Sequence, residues 1–215
     1  MAQTNHSPRR VGMFGGAFDP PHWAHRALAK TALDQLQLDV LHILPTGHAW
    51  HKSRVLSPAA DRLAMCELAF GDLQNVQMDQ REILRDGPSY TADTLIELHR
   101  EYPQAQLFLV LGADQLLSFK SWVRWQEVLD LATLAVANRA TNIGAGAPLD
   151  QATETDLSSV DLPFELLNMP LKNISATAVR AHVGQAAQRG AALDVLVPEP
   201  VARYISQHHL YQSPT

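Results

Sequence analysis

The chain has 215 residues, 46% of them hydrophobic and 18% charged, with a formal net charge of −5. That is globular composition, long enough to bury a core without a disulfide or metal staple, and its acidic balance disfavours a broad nucleic-acid surface. One cysteine, Cys66, excludes an intrachain disulfide and points to a reducing, cytoplasmic setting, while no apolar run suits a signal peptide or a membrane-spanning helix.

The hydrophobic pattern alternates between strands and helices. Residues 11–16 read as a short apolar strand ending in Gly15 and Gly16, followed by a helix over 22–36 with Leu28, Ala32, Leu33 and Leu36 at helical spacing. A strand over 39–44 ends before Pro45. A helix over 58–70 follows, with Ser57 as its expected cap, and then a weak strand over 75–78. A helix over 90–102 is broken by Pro103. The continuous apolar run at 106–111 is the strongest strand, of the kind found in a parallel sheet covered on both faces. Then come a helix over 118–131, strands over 133–137 and 164–169, and helices over 176–183 and 198–207. Residues 140–155, with Gly144, Gly146 and Pro148, read as a flexible surface loop.

This order predicts an α/β fold: an open, doubly wound, mostly parallel sheet. It is expected to form one domain over 1–215, with a small helical part from about residue 172. Ligands of such sheets bind beyond the carboxyl ends of the strands, where the strand order reverses.

The loop after the first strand carries the strongest chemical signal: Gly15, Gly16, Ala17, Phe18, Asp19, Pro20, Pro21, His22, Trp23, Ala24 and His25. Its glycines permit close approach of backbone N–H groups to a ligand. Asp19 followed by Pro20 reads as a helix cap, which would aim a helix N-terminus, with its unpaired N–H donors and partial positive charge, at an anion. His22 and His25, three residues apart, would then project together toward phosphate oxygens. The loop does not match the Gly-x-Gly-x-x-Gly dinucleotide fingerprint. Nor is there a Walker A loop, because His51 precedes Lys52 and Ser53 where glycine is required.

With these residues the chain resembles the nucleotidyltransferase superfamily marked by Gly-Gly-x-Phe-Asp-Pro-x-His-x-Gly-His, and within it the bacterial nicotinate-nucleotide adenylyltransferases. The similarity extends to Pro88-Ser89-Tyr90-Thr91 and to Gly112-Ala113-Asp114 with Trp122 and Trp125. It continues through Ile174-Ser175-Ala176-Thr177-Ala178-Val179-Arg180 to the tail from Val197 to Ile205. The sequence departs from the pattern at Ala24, which replaces a glycine, at Ala49-Trp50 before His51, and at Val123 after Trp122.

The resemblance implies a Rossmann-like nucleotidyltransferase fold and in-line attack of an acceptor phosphate on the α-phosphorus of ATP. It implies His22, His25 and Arg180 as catalytic residues. Gly15, Gly16, Ala17, Phe18, Lys52, Gly112, Asp114, Ile174, Ser175 and Thr177 would bind ATP, and His51, Ser89, Tyr90, Thr91 and Trp122 the acceptor. On the residues alone, Asp114 suits a ribose diol, Ser175 a helix cap and Arg180 a phosphate fork. One of Trp122 and Trp125, at helical spacing, is expected to pack inward. The cofactor implied is Mg²⁺ carried with ATP rather than caged by protein. His48 and His51 lack a carboxylate partner nearby in the sequence, and the other histidines, His42 among them, read as surface or strand positions.

The expected function is adenylyl transfer from ATP to nicotinic acid mononucleotide. The alternatives are a different acceptor (nicotinamide mononucleotide, phosphopantetheine or FMN) or a non-catalytic nucleotide sensor. Cytidylyl transfer is disfavoured because the C-terminal signature differs from that branch. The expected partners are these small molecules, with no nucleic acid and no membrane, and there is room for a homo-oligomer.

Overall fold

A computed structural model describes residues 7–47, 55–138, 140–141, 153–170, 174–189 and 193–212. Strand β1 (Arg10–Gly16) sits mid-sheet and pairs in parallel with β2 (Val40–Pro45) on one side and β4 (Gln106–Gly112) on the other. Beyond β2 lies β3 (Val76–Met78). Beyond β4 lie β5 (Thr133–Ala137) and, later in the chain, β8 (Glu165–Leu167), giving the all-parallel order β3-β2-β1-β4-β5-β8. The chain winds outward through β2 and β3, then restarts on the other side of β1 with β4. The reversal therefore lies between β1 and β4, and a crevice opens above their carboxyl ends.

The continuous apolar run of β4 splits by the two-residue period of a strand. Phe108 and Val110 join a core cluster with Ile43, Phe70 and Ala32; Leu107, Leu109 and Leu111 join another with Leu95, Phe119 and Val128. On the first side pack α1 (Trp23–Leu36), α2 (Ala59–Phe70), α7 (Ala176–Arg189) and α8 (Glu199–Gln207). On the second pack α4 (Thr91–Glu101), α5 (Ala113–Leu117) and α6 (Trp125–Leu131). The open doubly wound parallel sheet is thus present.

Several local expectations are corrected. The helix expected over 118–131 is divided: α5 ends at Leu117, a 3-10 turn spans Phe119–Ser121, and α6 begins at Trp125 after Arg124 adopts a left-handed conformation (φ 60°). The hydroxyls of Ser118 and Ser121 donate to the carbonyls of Gln115 and Ser118, local bonds that compete with a continuous helix. Trp122 and Trp125 therefore do not share a helical face. Both are half-buried against Phe119, at ring-centroid distances of 5.3 and 6.4 Å, so neither is the single inward residue expected.

Ser57 does not cap α2. Pro58 occupies that position, the Ser57 N–H donates to Asp19 and its carbonyl accepts from Arg62. A short helix, α3 (Arg81–Leu84), stands where none was expected. At the ends of the expected 140–155 loop, β6 (Ala140–Thr141) pairs antiparallel with β7 (Thr153–Glu154); residues 142–152 lie outside the described residues.

Candidate active site

The first loop emerges from β1 at the strand-order reversal, as expected, but it is built differently in detail. The tight turn is made at Phe18 (φ 45°) and not at the glycines. Gly16 is needed for another reason: a Cβ there would come within 3.2 Å of the Phe18 ring. That ring is fixed edge-on against Phe14, Phe70 and His25, with centroids at 5.3, 5.7 and 5.1 Å.

Asp19 is not the cap of α1; His22 holds that position. The Asp19 carboxylate is occupied elsewhere. It is 2% exposed, accepts the Tyr211 hydroxyl at 2.6 Å and accepts the Ser57 N–H at 3.3 Å. The helix N-terminus is also less open than expected, since the Trp23 N–H donates to the Leu196 carbonyl at 3.1 Å and its indole N–H to the Asp194 carbonyl at 2.8 Å.

His22 and His25 do come together. Their rings stack with centroids 3.7 Å apart, and His25 Nδ1 accepts the His22 backbone N–H at 3.3 Å. A neutral His25 with Nδ1 accepting carries its proton on Nε2, which is then a donor. His22 is buried and His25 half-buried.

Arg180, 161 residues further on, reaches this loop from α7. Its Nη1 donates to the Asp19 carbonyl at 2.7 Å and its Nη2 to Thr177 Oγ1 at 3.1 Å. Ser175 caps α7, its Oγ accepting the Ala178 N–H at 3.2 Å. Ile174 packs on the same core cluster as Phe18. Arg62, 2% exposed, supports the loop from below by donating to the carbonyls of Ala17 (3.1 Å) and Ser57 (3.0 Å).

Across the reversal, Gly112 ends β4 and caps α5, and Asp114 stands exposed in the first turn of that helix. Tyr90 occupies the cap position of α4 with Thr91 as its first residue, and the Ser89 hydroxyl donates to the Glu82 carbonyl at 3.3 Å. The same carbonyl would lie 2.0 Å from a Cβ on Gly47, so only glycine fits there. The chain leaving β2 toward His51 and Lys52 is thereby packed against the segment that leads to Thr91. His48, His51 and Lys52 themselves lie outside the described residues.

Below this region is a buried polar network that the sequence did not reveal. His42, fully buried on β2, pairs through Nδ1 with Asp79 Oδ2 at 2.9 Å, and Asp79 also accepts from Arg81. Burial alone would raise the Asp79 carboxyl. The bonds from His42 and Arg81 outweigh it and hold the group below its ordinary range. Glu82 goes the other way: burial raises its carboxyl, opposed in part by a 2.9 Å bond from the Thr94 hydroxyl. His42 read as a bland strand position because one histidine in an apolar strand gives no sign of a partner 37 residues away.

The first loop, the α7 signature and the β4 exit thus converge at one sheet edge. The cytidylyltransferase-like family model matches residues 13–182, which spans all three. The "Probable nicotinate-nucleotide adenylyltransferase" of Albidiferax ferrireducens is 54% identical over 95% of this chain and 99% of that relative. This chain belongs to the nicotinate-nucleotide adenylyltransferase family. A relative of the same name from Methylibium petroleiphilum is 41% identical over 98% of this chain and 96% of its own length. Among solved structures, the Plasmodium falciparum nicotinic acid mononucleotide adenylyltransferase complexed with NaAD shares the fold, with a TM-score of 0.72 at 15% identity over 94% of this chain and 97% of that one. No helix among the described residues is long and apolar enough to cross a membrane.

Proposed function

We propose that this chain transfers the adenylyl group of ATP to nicotinic acid mononucleotide, giving nicotinic acid adenine dinucleotide and pyrophosphate in NAD biosynthesis. The observation that carries the reading is the meeting of Arg180 with the loop of the stacked His22 and His25 at the strand-order reversal. A bidentate guanidinium and an imidazole N–H supply the donors that a reacting polyphosphate needs.

An oxygen of the acceptor phosphate attacks the α-phosphorus in line. The new O–P bond forms as the bond to the bridging oxygen of pyrophosphate breaks, and no enzyme group becomes bonded to the nucleotide. We assign His25 Nε2–H and His22 to phosphate oxygens whose charge grows in the transition state, with Arg180 clamping the same group. Gly15, Gly16, Ala17, Phe18, Gly112 and Ile174 line the ATP side, and Asp114 takes the ribose diol. Lys52 serves the triphosphate. Ser175 and Thr177 act through the start of α7: Ser175 holds the helix N-terminus, and Thr177 accepts from Arg180. His51, Ser89, Tyr90, Thr91 and Trp122 form the acceptor side. Among the described residues no cluster of His, Cys, Asp or Glu is arranged to hold a metal ion, and Mg²⁺ is assigned to the triphosphate oxygens. The single cysteine, Cys66, fits a reducing, cytoplasmic setting.

The test is pyrophosphate release from Mg-ATP with nicotinic acid mononucleotide, nicotinamide mononucleotide, phosphopantetheine and FMN offered separately. Release with the nicotinate acceptor and little with the others is expected. Preference for another acceptor discards the assignment of Thr91 and Trp122, and ATP binding without release from any acceptor replaces transfer by nucleotide sensing.

A further inference from the structure

The C-terminal segment, which contributes none of the assigned phosphate or acceptor contacts, is attached to the first loop at two places. One attachment is at the start of α1, where Trp23 donates its backbone N–H to Leu196 and its indole N–H to Asp194. The other lies beyond α8. There the Leu210 N–H returns to the Ile205 carbonyl, and Tyr211 places its hydroxyl 2.6 Å from Asp19 Oδ1. To reach that point the chain puts two non-glycine residues, His209 (φ 52°) and Tyr211 (φ 63°), in the left-handed region. Such a conformation persists only where the surrounding contacts hold it, and here these are the packing of Leu210 and Tyr211 on the core and the bond to the Asp19 carboxylate, 2% exposed.

We propose that Tyr211 is a positioning residue for adenylyl transfer, whose hydroxyl fixes Asp19 and through it the His22–His25 loop and the Arg180 guanidinium. Asp19 joins four parts of the chain. Its carboxylate receives Tyr211 and the Ser57 N–H, its carbonyl receives Arg180, and its backbone continues into the cap residue His22. A carboxylate this buried needs its donors. Without the phenol, the Asp19 carboxylate has one donor fewer, and a shift of the residue would carry its carbonyl away from Arg180. Burial, with the Asp19 contact, also raises the Tyr211 phenol well above its ordinary range, so it stays a donor at any working pH. Small displacements of groups that must meet a transition state are costly in rate.

This inference rests on the proposed adenylyl transfer, and its test separates the two. Tyr211→Phe keeps the ring and removes the hydroxyl. The control is Tyr204→Phe on α8, which removes a phenol-to-carboxylate bond, 2.8 Å to Asp61, that does not involve Asp19. Wild-type enzyme and both variants are assayed with Mg-ATP and nicotinic acid mononucleotide below their melting midpoints. Tyr211→Phe is expected to lower kcat about tenfold, with KM for the acceptor nearly unchanged and a melting midpoint close to that of Tyr204→Phe, whose kcat stays near wild type.

A purely structural tail would lower both midpoints and neither kcat; equal kcat in the two variants overturns the proposal. A cycle with Arg180→Lys adds a second reading: a combined loss smaller than the product of the single losses is expected, and independent losses remove the route through Arg180. Absence of turnover in the wild-type enzyme would instead overturn the proposed function.

Discussion

At the scale of single residues, His25 is fixed more tightly than a surface histidine. Phe18 meets its ring edge-on, His22 stacks on it, and the His22 N–H occupies Nδ1. The remaining nitrogen has a set direction, which is the condition for stabilising charge that appears only in the transition state. His25→Ala is therefore expected to lower kcat at least about a hundredfold while leaving ATP affinity much less affected. Steady-state pyrophosphate release checks this, and an unchanged kcat would remove His25 from the chemistry. Asp19 shows how a residue type can mislead. Aspartate before proline usually caps a helix, but here Tyr211 and Ser57 use its carboxylate.

At the scale of elements, α7 delivers Arg180 to the loop and depends on its first turn being capped. Ser175 satisfies the Ala178 N–H one residue before the helix begins. Ser175→Ala is expected to cost about 1 kcal/mol in denaturant unfolding and to weaken kcat through the orientation of Arg180; a variant with wild-type stability and kcat would show that the turn holds without its cap. The division of the expected 118–131 helix has the opposite origin. Ser118 and Ser121 back-bond to nearby carbonyls, and Arg124 takes a left-handed conformation while pairing with Asp93 and Glu127. The apolar periodicity through Trp122, Trp125 and Leu129 fitted one helix, whereas the structure uses two short pieces to press both indoles against Phe119.

At the scale of the whole molecule, two apolar layers enclose the parallel sheet, and the His42–Asp79–Arg81 network lies between the sheet and α4. We propose that residues 1–215 form one nucleotidyltransferase domain, because α8 contributes Val201 and Ile205 to the core cluster that holds Phe14 and Phe108. The Asp79 carboxyl is more acidic in the folded chain than its ordinary 3.8. The unfolded chain therefore binds more protons just below that value, and this contribution to stability is complete above about pH 4 and lost as pH falls through the folded value. Asp79→Asn is expected to cost about 2 kcal/mol at neutral pH, by removing the buried carboxylate that accepts from Arg81 and pairs with His42, while Arg81 keeps Glu97 and Glu101. It should also flatten the acid limb of a stability-versus-pH curve; an equally steep limb in the variant would place the acid sensitivity elsewhere.

The layered α/β architecture, and the motifs that meet at the strand-order reversal, are legible in the order of the residues. Both are written locally: in the continuous apolar runs of buried parallel strands, and in motifs of consecutive residues such as Gly15 to His25 and Ile174 to Arg180. Only the tertiary structure decided how those motifs are held. The Arg180 bond to Asp19, the Tyr211 hydroxyl on the same residue and the pairing of His42 with Asp79 join positions 161, 192 and 37 residues apart. No periodicity or turn signal encodes such pairs. Each depends on which polar groups the closed core leaves facing one another, and on the need of every buried charge to find a partner there.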